Sequence, residues 1–378
     1  MDKKNPLIFC FSTLEDPRKP THSSRHNIMD ILLITILASI CGADSWVAIE
    51  KFAHAKEDWL TTILELPHGI PSHDTFGDFF SRVDPKQLQD CFLKWINQLF
   101  QISGGEIIAI DGKTLRHSYD TSSNRGAIHM VSAWACKNNL VLGQYKTNEK
   151  SNEITAIPEL LKVLDLKGNI VTIDAMGCQK DIAEQIIKQG GDYVFNLKGN
   201  QGNLHKDVQL YIESAISGDF KGAQLKEDKS IDAGHGRIES RHYWVTQNTD
   251  WLEQHSEWAG LKSIGMVEYK SECKRTGKIE IERRFFISSL AADAKKFSEA
   301  VRLHWRIENS LHWCLDVAFN EDACRIRKDN APENLAVIRH IALNLLKQEK
   351  TAKVGIHTKR LMAGWDHKYL AKVLGAGN

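Results

Sequence analysis

Between residues 106 and 200 the chain reads strand-strand-strand-helix-strand-helix-strand, and that order leaves few folds open. EIIAIDGK, AIHMVSAWAC and LVLGQYKT are short β-prone runs separated by the turn-rich pieces DTSSNRG and KNN. EITAIPELLKVL then reads as a helix, NIVTIDAM as a strand, KDIAEQIIKQGG as a helix closing on glycine, and DYVFNLKG as a strand. Three meandering strands followed by βα units imply a mixed α/β sheet with flanking helices, because parallel neighbours need a crossover connection.

The flanks have a different character. Up to about residue 100 the pattern is helical, with Phe76, Phe79, Phe80 and Val83 at helical spacing, then Phe92, Trp95, Ile96 and Phe100. Between them Asp84, Pro85 and Gln87 have the form of an N-cap, a first helical position and a capping-box partner. These stripes read as core faces or as a helical module that docks on DNA; no recognition helix stands out. From about 200 to 285, GHGRIESRHYWVT, SIGMVEYKSEC and KIEIERRFFISSL are strand-like, which suggests a β-rich insertion. Beyond it the chain is helical again, and APENLAVIRHIALNLLK starts from Asn330 with Glu333 as its capping-box partner. The expected division is a helical N-terminal domain over 1–100, an α/β domain over 101–350 and a basic tail over 351–378.

The most apolar segment, ILLITILASICGA, is shorter than the roughly 20 residues a bilayer span needs, so a buried helix is expected. The first residues carry lysines but no apolar leader core, and no membrane partner is expected. Eight cysteines without a C-x-x-C pair read as reduced thiols of a cytoplasmic protein. With a net charge of +1, any surface for a polyanion must be local.

Two of the strand-like runs end on an aspartate, Asp111 and Asp174. Ligands of such sheets bind beyond the carboxyl ends of the strands. Two carboxylates side by side there raise one another's pKa unless a cation lies between them, and oxygen ligands favour Mg²⁺ or Mn²⁺. A third candidate is Glu308 in RLHWRIENSLHWCLD, on a helical face with Trp305, His312 and Leu315. A cluster of this kind can hold two ions that clamp a phosphodiester. Read singly, each aspartate is also an ordinary turn or cap residue, and Glu308 an ordinary partner of Arg302 or Arg306. His304, Glu308 and His312, spaced four apart, leave a zinc hydrolase open as well, though without the H-E-x-x-H order.

At these residues the chain closely resembles the DDE-type insertion-sequence transposases, in particular the H-repeat-associated proteins of enteric bacteria. The resemblance is carried by DPRKPTHSSRHNIMDILLITILASICGADSWVAIEKFA and GIPSHDTFGDFF, then IAIDGKTLRHS, VTIDAMGCQK, FNLKGNQ, GHGRIESR and HWRIENSLHWCLDVAFNEDACRIR. It implies a ribonuclease-H-like core with Asp111, Asp174 and Glu308 as catalytic metal ligands, Mg²⁺ or Mn²⁺ as cofactor (two ions), and a β-rich insertion before the helix that carries the glutamate. The Tyr, Arg and Lys that often surround that glutamate correspond here to Val301, His304 and Leu315, so the wider motif is not kept. Phosphate contacts would then fall to Arg302 or Arg306. The implied partner is double-stranded DNA at the nucleoid, held by a homodimer that brings two element ends together. Expected DNA contacts are Lys113, Arg116, Lys198, Asn200, Gln201, Arg237, Arg306, Arg325 and Arg327. Lys353, Lys359, Arg360, Lys368 and Lys372 make the tail either a DNA contact or simply solvated. A DNA-binding relic of an immobile element and a host nuclease or recombinase on the same core remain alternatives.

Overall fold

The sheet is laid on the strand Ile107–Leu115, β1, whose first four residues are buried before the chain meets Asp111. The computed structural model describes residues 5–18, 25–99, 104–119, 126–147, 153–218, 224–234 and 236–375. β1 pairs antiparallel with β2 (Ile128–Ala135), which pairs antiparallel with β3 (Leu140–Lys146). On its other side β1 pairs parallel with β4 (Ile170–Ile173), and β4 parallel with β5 (Asp192–Leu197). The helices Glu153–Lys162 and Lys180–Lys188 make the crossovers that parallel pairing requires. This 3-2-1-4-5 half, with only its second strand reversed, is the ribonuclease-H-like order.

The strands expected as an insertion are not a separate layer. β9 (Ile279–Ser288) pairs antiparallel with β5, and β8 (Ser263–Cys273), β7 (Arg237–Thr246) and β6 (Lys226–Gly234) come next in order, giving one nine-stranded sheet ordered 3-2-1-4-5-9-8-7-6. β6 has no apolar alternation to betray it: KEDKSIDAG is a charged edge strand, held by its backbone ladder to β7. The 200–285 stretch also contains a helix, Gly202–Ser217, which packs on β8 and β9.

Ile28–Ile40 forms the expected buried helix, and no helix of the described residues is long and apolar enough to cross a membrane. It packs against Ala331–Gln348, which also meets the helices His73–Arg82 and Pro85–Leu99 and the strand β3. The Asn334 amide donates to the Phe80 and Val83 carbonyls at 2.8 and 3.0 Å, and Asn344 exchanges bonds of 2.9 and 3.0 Å with the backbone of Val141. Bonds from buried amides to backbone of this kind hold both neighbours in register. The N-terminal helices and the sheet therefore share one apolar core. Phe76, Phe79, Phe80, Val83, Phe92, Trp95 and Ile96 lie in it; Phe100 falls outside the described residues. All eight cysteines are free.

Three local expectations need correction. Asp84 does cap its helix by accepting from the Lys86 N–H at 3.0 Å, but Gln87 instead accepts from the Glu15 N–H. Asn330 makes no side-chain cap; its amide donates to the Val83 carbonyl, and Glu333 turns towards Lys146. The basic tail is not a solvated one, since it folds into the helices Ile356–Trp365 and His367–Gly375. Lys359 is buried against Glu349, and Arg360 against the Ser39 carbonyl and Asp44, the latter two over 300 residues away in sequence.

His340 is buried on the helix Ala331–Gln348, its Nδ1 has no hydrogen-bond partner, and burial pushes its imidazole down to about 4. An unfolded chain, with imidazoles near 6.5, takes up a proton before the folded chain does, so stability falls as pH drops from about 6.5 towards 4. His340→Leu should flatten that decline by about 2–3 kcal/mol, read as a smaller shift of the urea midpoint between pH 6.5 and 4.5. An unchanged slope would mean that His340 does not set the acid limit.

Candidate active site

The parallel register of β1 and β4 ends at Ile110 beside Ile173, so the next residue on each strand is an aspartate. Asp111 and Asp174 thus leave adjacent strands at the same level, at the carboxyl edge where the sheet opens. Asp174 is also a turn residue: its Oδ1 accepts from the Met176 and Gly177 N–H groups at 3.0 and 3.4 Å. Only one carboxylate oxygen is used by the turn.

Glu308 arrives from across the sheet edge. The helix Ala294–His304 lies over β1, β4 and β5, and its sequel does not continue with ordinary spacing. Residues Glu308–His312 form a π-helical turn, closed by the Trp313 N–H donating to the Glu308 carbonyl, before the helix Trp313–Phe319 resumes. One extra residue in the turn rotates the helix beyond it, so the simple face of Trp305, Glu308, His312 and Leu315 is broken. Trp305 and Glu308 stay exposed, while His312 and Leu315 are buried. Such turns recur at functional sites because they re-aim side chains.

Asp111, Glu308 and His312 each offer a ligand atom, and these atoms lie within 4.8 Å of one another. His312 Nδ1 stands 3.5 Å from Asp111 Oδ2 and 3.8 Å from Glu308 Oε2. Asp174 lines the same cavity of about 160 Å³ as Asp111 and Glu308, together with Lys198 and His304, but outside that tightest group. Burial, and then the Glu308 carboxylate, push Asp111 well above the ordinary carboxylate range. The His312 imidazole beside Glu308 holds that group below it. Crowded carboxylates facing one point are the donor set a divalent cation neutralises, so the residues fit such an ion. His304 is not among the gathered ligands. Its Nδ1 meets Thr172 Oγ1 at 3.0 Å, and the three-residue His304–Glu308–His312 arrangement is not assembled.

The expected DNA contacts separate into committed and open groups. Lys113 does not face outwards: its ammonium is enclosed by Asp316, Glu321 at 2.7 Å and Asp322 at 4.0 Å. Glu321 in turn lies 3.5 Å from the buried Arg339. Strand alternation puts Lys113 on the Asp111 side of β1, so this cation balances charge behind the site instead. Asn200 and Gln201 donate to the Ala175 and Cys178 carbonyls, stapling the turn after β5 to the loop after β4. Arg327 donates to the His117 carbonyl and stacks over Tyr119. Lys198, Arg237 and Arg325 are exposed, Arg306 is exposed with one guanidinium N–H donating to the Cys136 carbonyl at 3.3 Å, and Arg116 is exposed beside Asp322. Arg237 and Arg306 line a groove of about 960 Å³ that joins the site cavity at Arg284, Val301 and Trp305. Arg284, whose guanidinium lies 4.2 Å over the Trp305 ring, and His312 as a neighbour of both carboxylates were missed in the sequence. The i, i+4 spacing of Glu308 and His312 was the one available signal for the latter.

Comparison with known proteins adds an independent line. Residues 102–345 match the family described as Transposase DDE domain, and residues 8–96 match the one described as DDE_Tnp_1-associated. The protein named "H repeat-associated putative transposase YhhI" of Escherichia coli K12 is 46% identical over 98% of both chains. "Putative transposase YncI" of Escherichia coli O157:H7 is 44% identical over 98% of this chain and 94% of its own. Among solved structures, the piggyBac transposase synaptic complex with hairpin DNA aligns at a TM-score of 0.44 and 11% identity, over 98% of this chain and 75% of that one, too distant a likeness to carry weight.

The enclosed ammonium of Lys113 makes a sharp contrast with Arg116. Lys113→Met takes the nearer of two cations from the buried Glu321, leaving Arg339 at 3.5 Å, and strips the partly buried Asp316 of its partner; it should cost about 3 kcal/mol in urea unfolding, whereas Arg116→Met at the surface should cost under about 0.5 kcal/mol. Equal small losses for both would show that the enclosed charges are tolerated unpaired.

Proposed function

Because the chain belongs to the Transposase DDE domain family, and is an enzyme of the transposase class, we propose that it binds the ends of an insertion sequence in double-stranded DNA and catalyses metal-dependent phosphodiester hydrolysis and strand transfer. Hydrolysis joins a water oxygen to phosphorus and breaks one ester bond, leaving a 3′-hydroxyl. Strand transfer joins that hydroxyl's oxygen to a target phosphorus and breaks one ester bond there, so that the target strand's 3′-oxygen leaves and takes up the proton. The observation that carries the reading is the meeting of Asp111 and Glu308 beside Asp174 at the open edge of parallel strands.

Asp111, Asp174 and Glu308 would hold Mg²⁺ or Mn²⁺, which when bound supplies positive charge to the phosphoryl oxygens. Asp111 would act from within β1 and Asp174 from the residue that follows β4, places that fix their carboxylates more rigidly than a long loop does. Glu308, more than half exposed, would close the site from the helix side. Lys198 at the cavity and Arg237 and Arg306 along the adjoining groove would receive the backbone phosphates, with Arg116 and Arg325 as outlying contacts. Joining two ends calls for two copies of the chain, so a homodimer on nucleoid DNA belongs to this reading.

Purified protein and a supercoiled plasmid carrying the gene's own genomic flanks test it. Wild type should cut at the flanks with Mg²⁺ or Mn²⁺ and not with EDTA. Asp174→Asn and Glu308→Gln should lose cutting on the order of 10³-fold while retaining the circular dichroism of the wild type and flank binding. Cutting that survives EDTA or either substitution would sink the assignment; specific binding without any cutting would point to a DNA-binding relic.

A further inference from the structure

The site holds a nitrogen donor that three carboxylates alone do not account for. His312 is almost entirely buried, and its Nδ1 is aimed between Asp111 and Glu308 at 3.5 and 3.8 Å. Those separations exceed the roughly 2.7–2.9 Å of a closed charge-assisted hydrogen bond. They suit ligands of one ion better: donors about 2.1 Å from a small divalent cation stand ~3 Å apart at right angles and ~4.2 Å apart when opposite. The other ring nitrogen, Nε2, is buried without a hydrogen-bond partner, so the imidazole is fixed by packing and not by a bond that would turn it elsewhere. The π-helical turn Glu308–His312 supplies two of the three donors from a single turn of chain. Asp174, half engaged in its own turn, stands outside this group.

We propose that His312 is a direct metal ligand, so that one cation of the site sits in a mixed nitrogen–oxygen shell of Asp111, Glu308 and His312, with Asp174 serving it from the cavity side or holding a second ion. This rests on the metal-dependent reading above and deepens it. An imidazole ligand favours Mn²⁺ over Mg²⁺, which prefers oxygen alone. The site is therefore one in which Mn²⁺ is the better-held ion.

Electron paramagnetic resonance of Mn²⁺ on the full-length protein, without DNA, tests the ligand directly. Wild type should bind Mn²⁺ at least ten-fold more tightly than Mg²⁺ competes for the same site. Its pulsed spectrum should show a directly bound imidazole nitrogen that changes on ¹⁵N-histidine labelling. That nitrogen signal should persist in His304→Gln, the other imidazole at the cavity, and vanish in His312→Gln with about ten-fold weaker Mn²⁺ binding. The labelled wild type and His304→Gln suffice if His312→Gln does not fold. Mn²⁺ that is lost in Asp111→Asn but lacks a nitrogen signal in wild type, or loses that signal in His304→Gln, would overturn the ligand and leave the proposed function standing. Absence of any Mn²⁺ site sensitive to Asp111→Asn would overturn both.

Discussion

Holding Asp111 and Glu308 against each other where the buried half of β1 gives way is the act on which the rest of the molecule depends. Like charges this close in a poorly solvated place repel, and the fold surrounds them with polar and charged partners. The imidazole of His312 lies beside both carboxylates. Lys113, two residues beyond Asp111, meets Asp316, Glu321 and Asp322, and Glu321 meets Arg339. A buried charge is costly when it loses its partner, so each partner is tolerable only because the next one exists. β1 is thereby fixed by electrostatics on one side as firmly as by its hydrogen-bonded neighbours on the other.

Those partners are assembled from distant stretches. Asp111 and Lys113 come from β1, Asp316 and Glu321 from the helix after the π turn and the loop beyond it, and Arg339 from Ala331–Gln348. That last helix is the common wall of the molecule. Its Asn344 is bonded to β3 and its Asn334 to the end of His73–Arg82, so whatever moves the N-terminal helices moves the backing of the carboxylates.

The core of the sheet was legible because β1 to β5 and their two crossover helices each obey a simple periodicity, and because two buried strands ending on aspartate is a local pattern. The features that escaped have identifiable causes. β6 is all charge and edge, so nothing in KEDKSIDAG alternates. The π turn inserts a residue into an otherwise α-helical pattern and leaves no compositional mark, which concealed that His312 turns inwards while Trp305 stays out. Lys113, Lys359 and Arg360 looked like surface cations because their partners are not local: Asp316 and Glu321 for the first, Ser39 and Asp44 for the last. Lys359 is answered by Glu349, only ten residues away, yet in a turn whose closure depends on tertiary packing. The capping boxes failed for a related reason, since Gln87 and Glu333 found better partners across the core than along their own helices.

The place of Ala331–Gln348 in the chain bears on how the protein is made. A ribosome has already delivered both aspartates and all nine strands when that helix emerges, yet Ile28–Ile40 still lacks the surface that covers it. Until then the nascent polypeptide carries an open apolar seam through its middle, the kind of surface that chaperones and proteases recognise. A chain broken before this point leaves that seam open, with both aspartates made but the wall behind them missing.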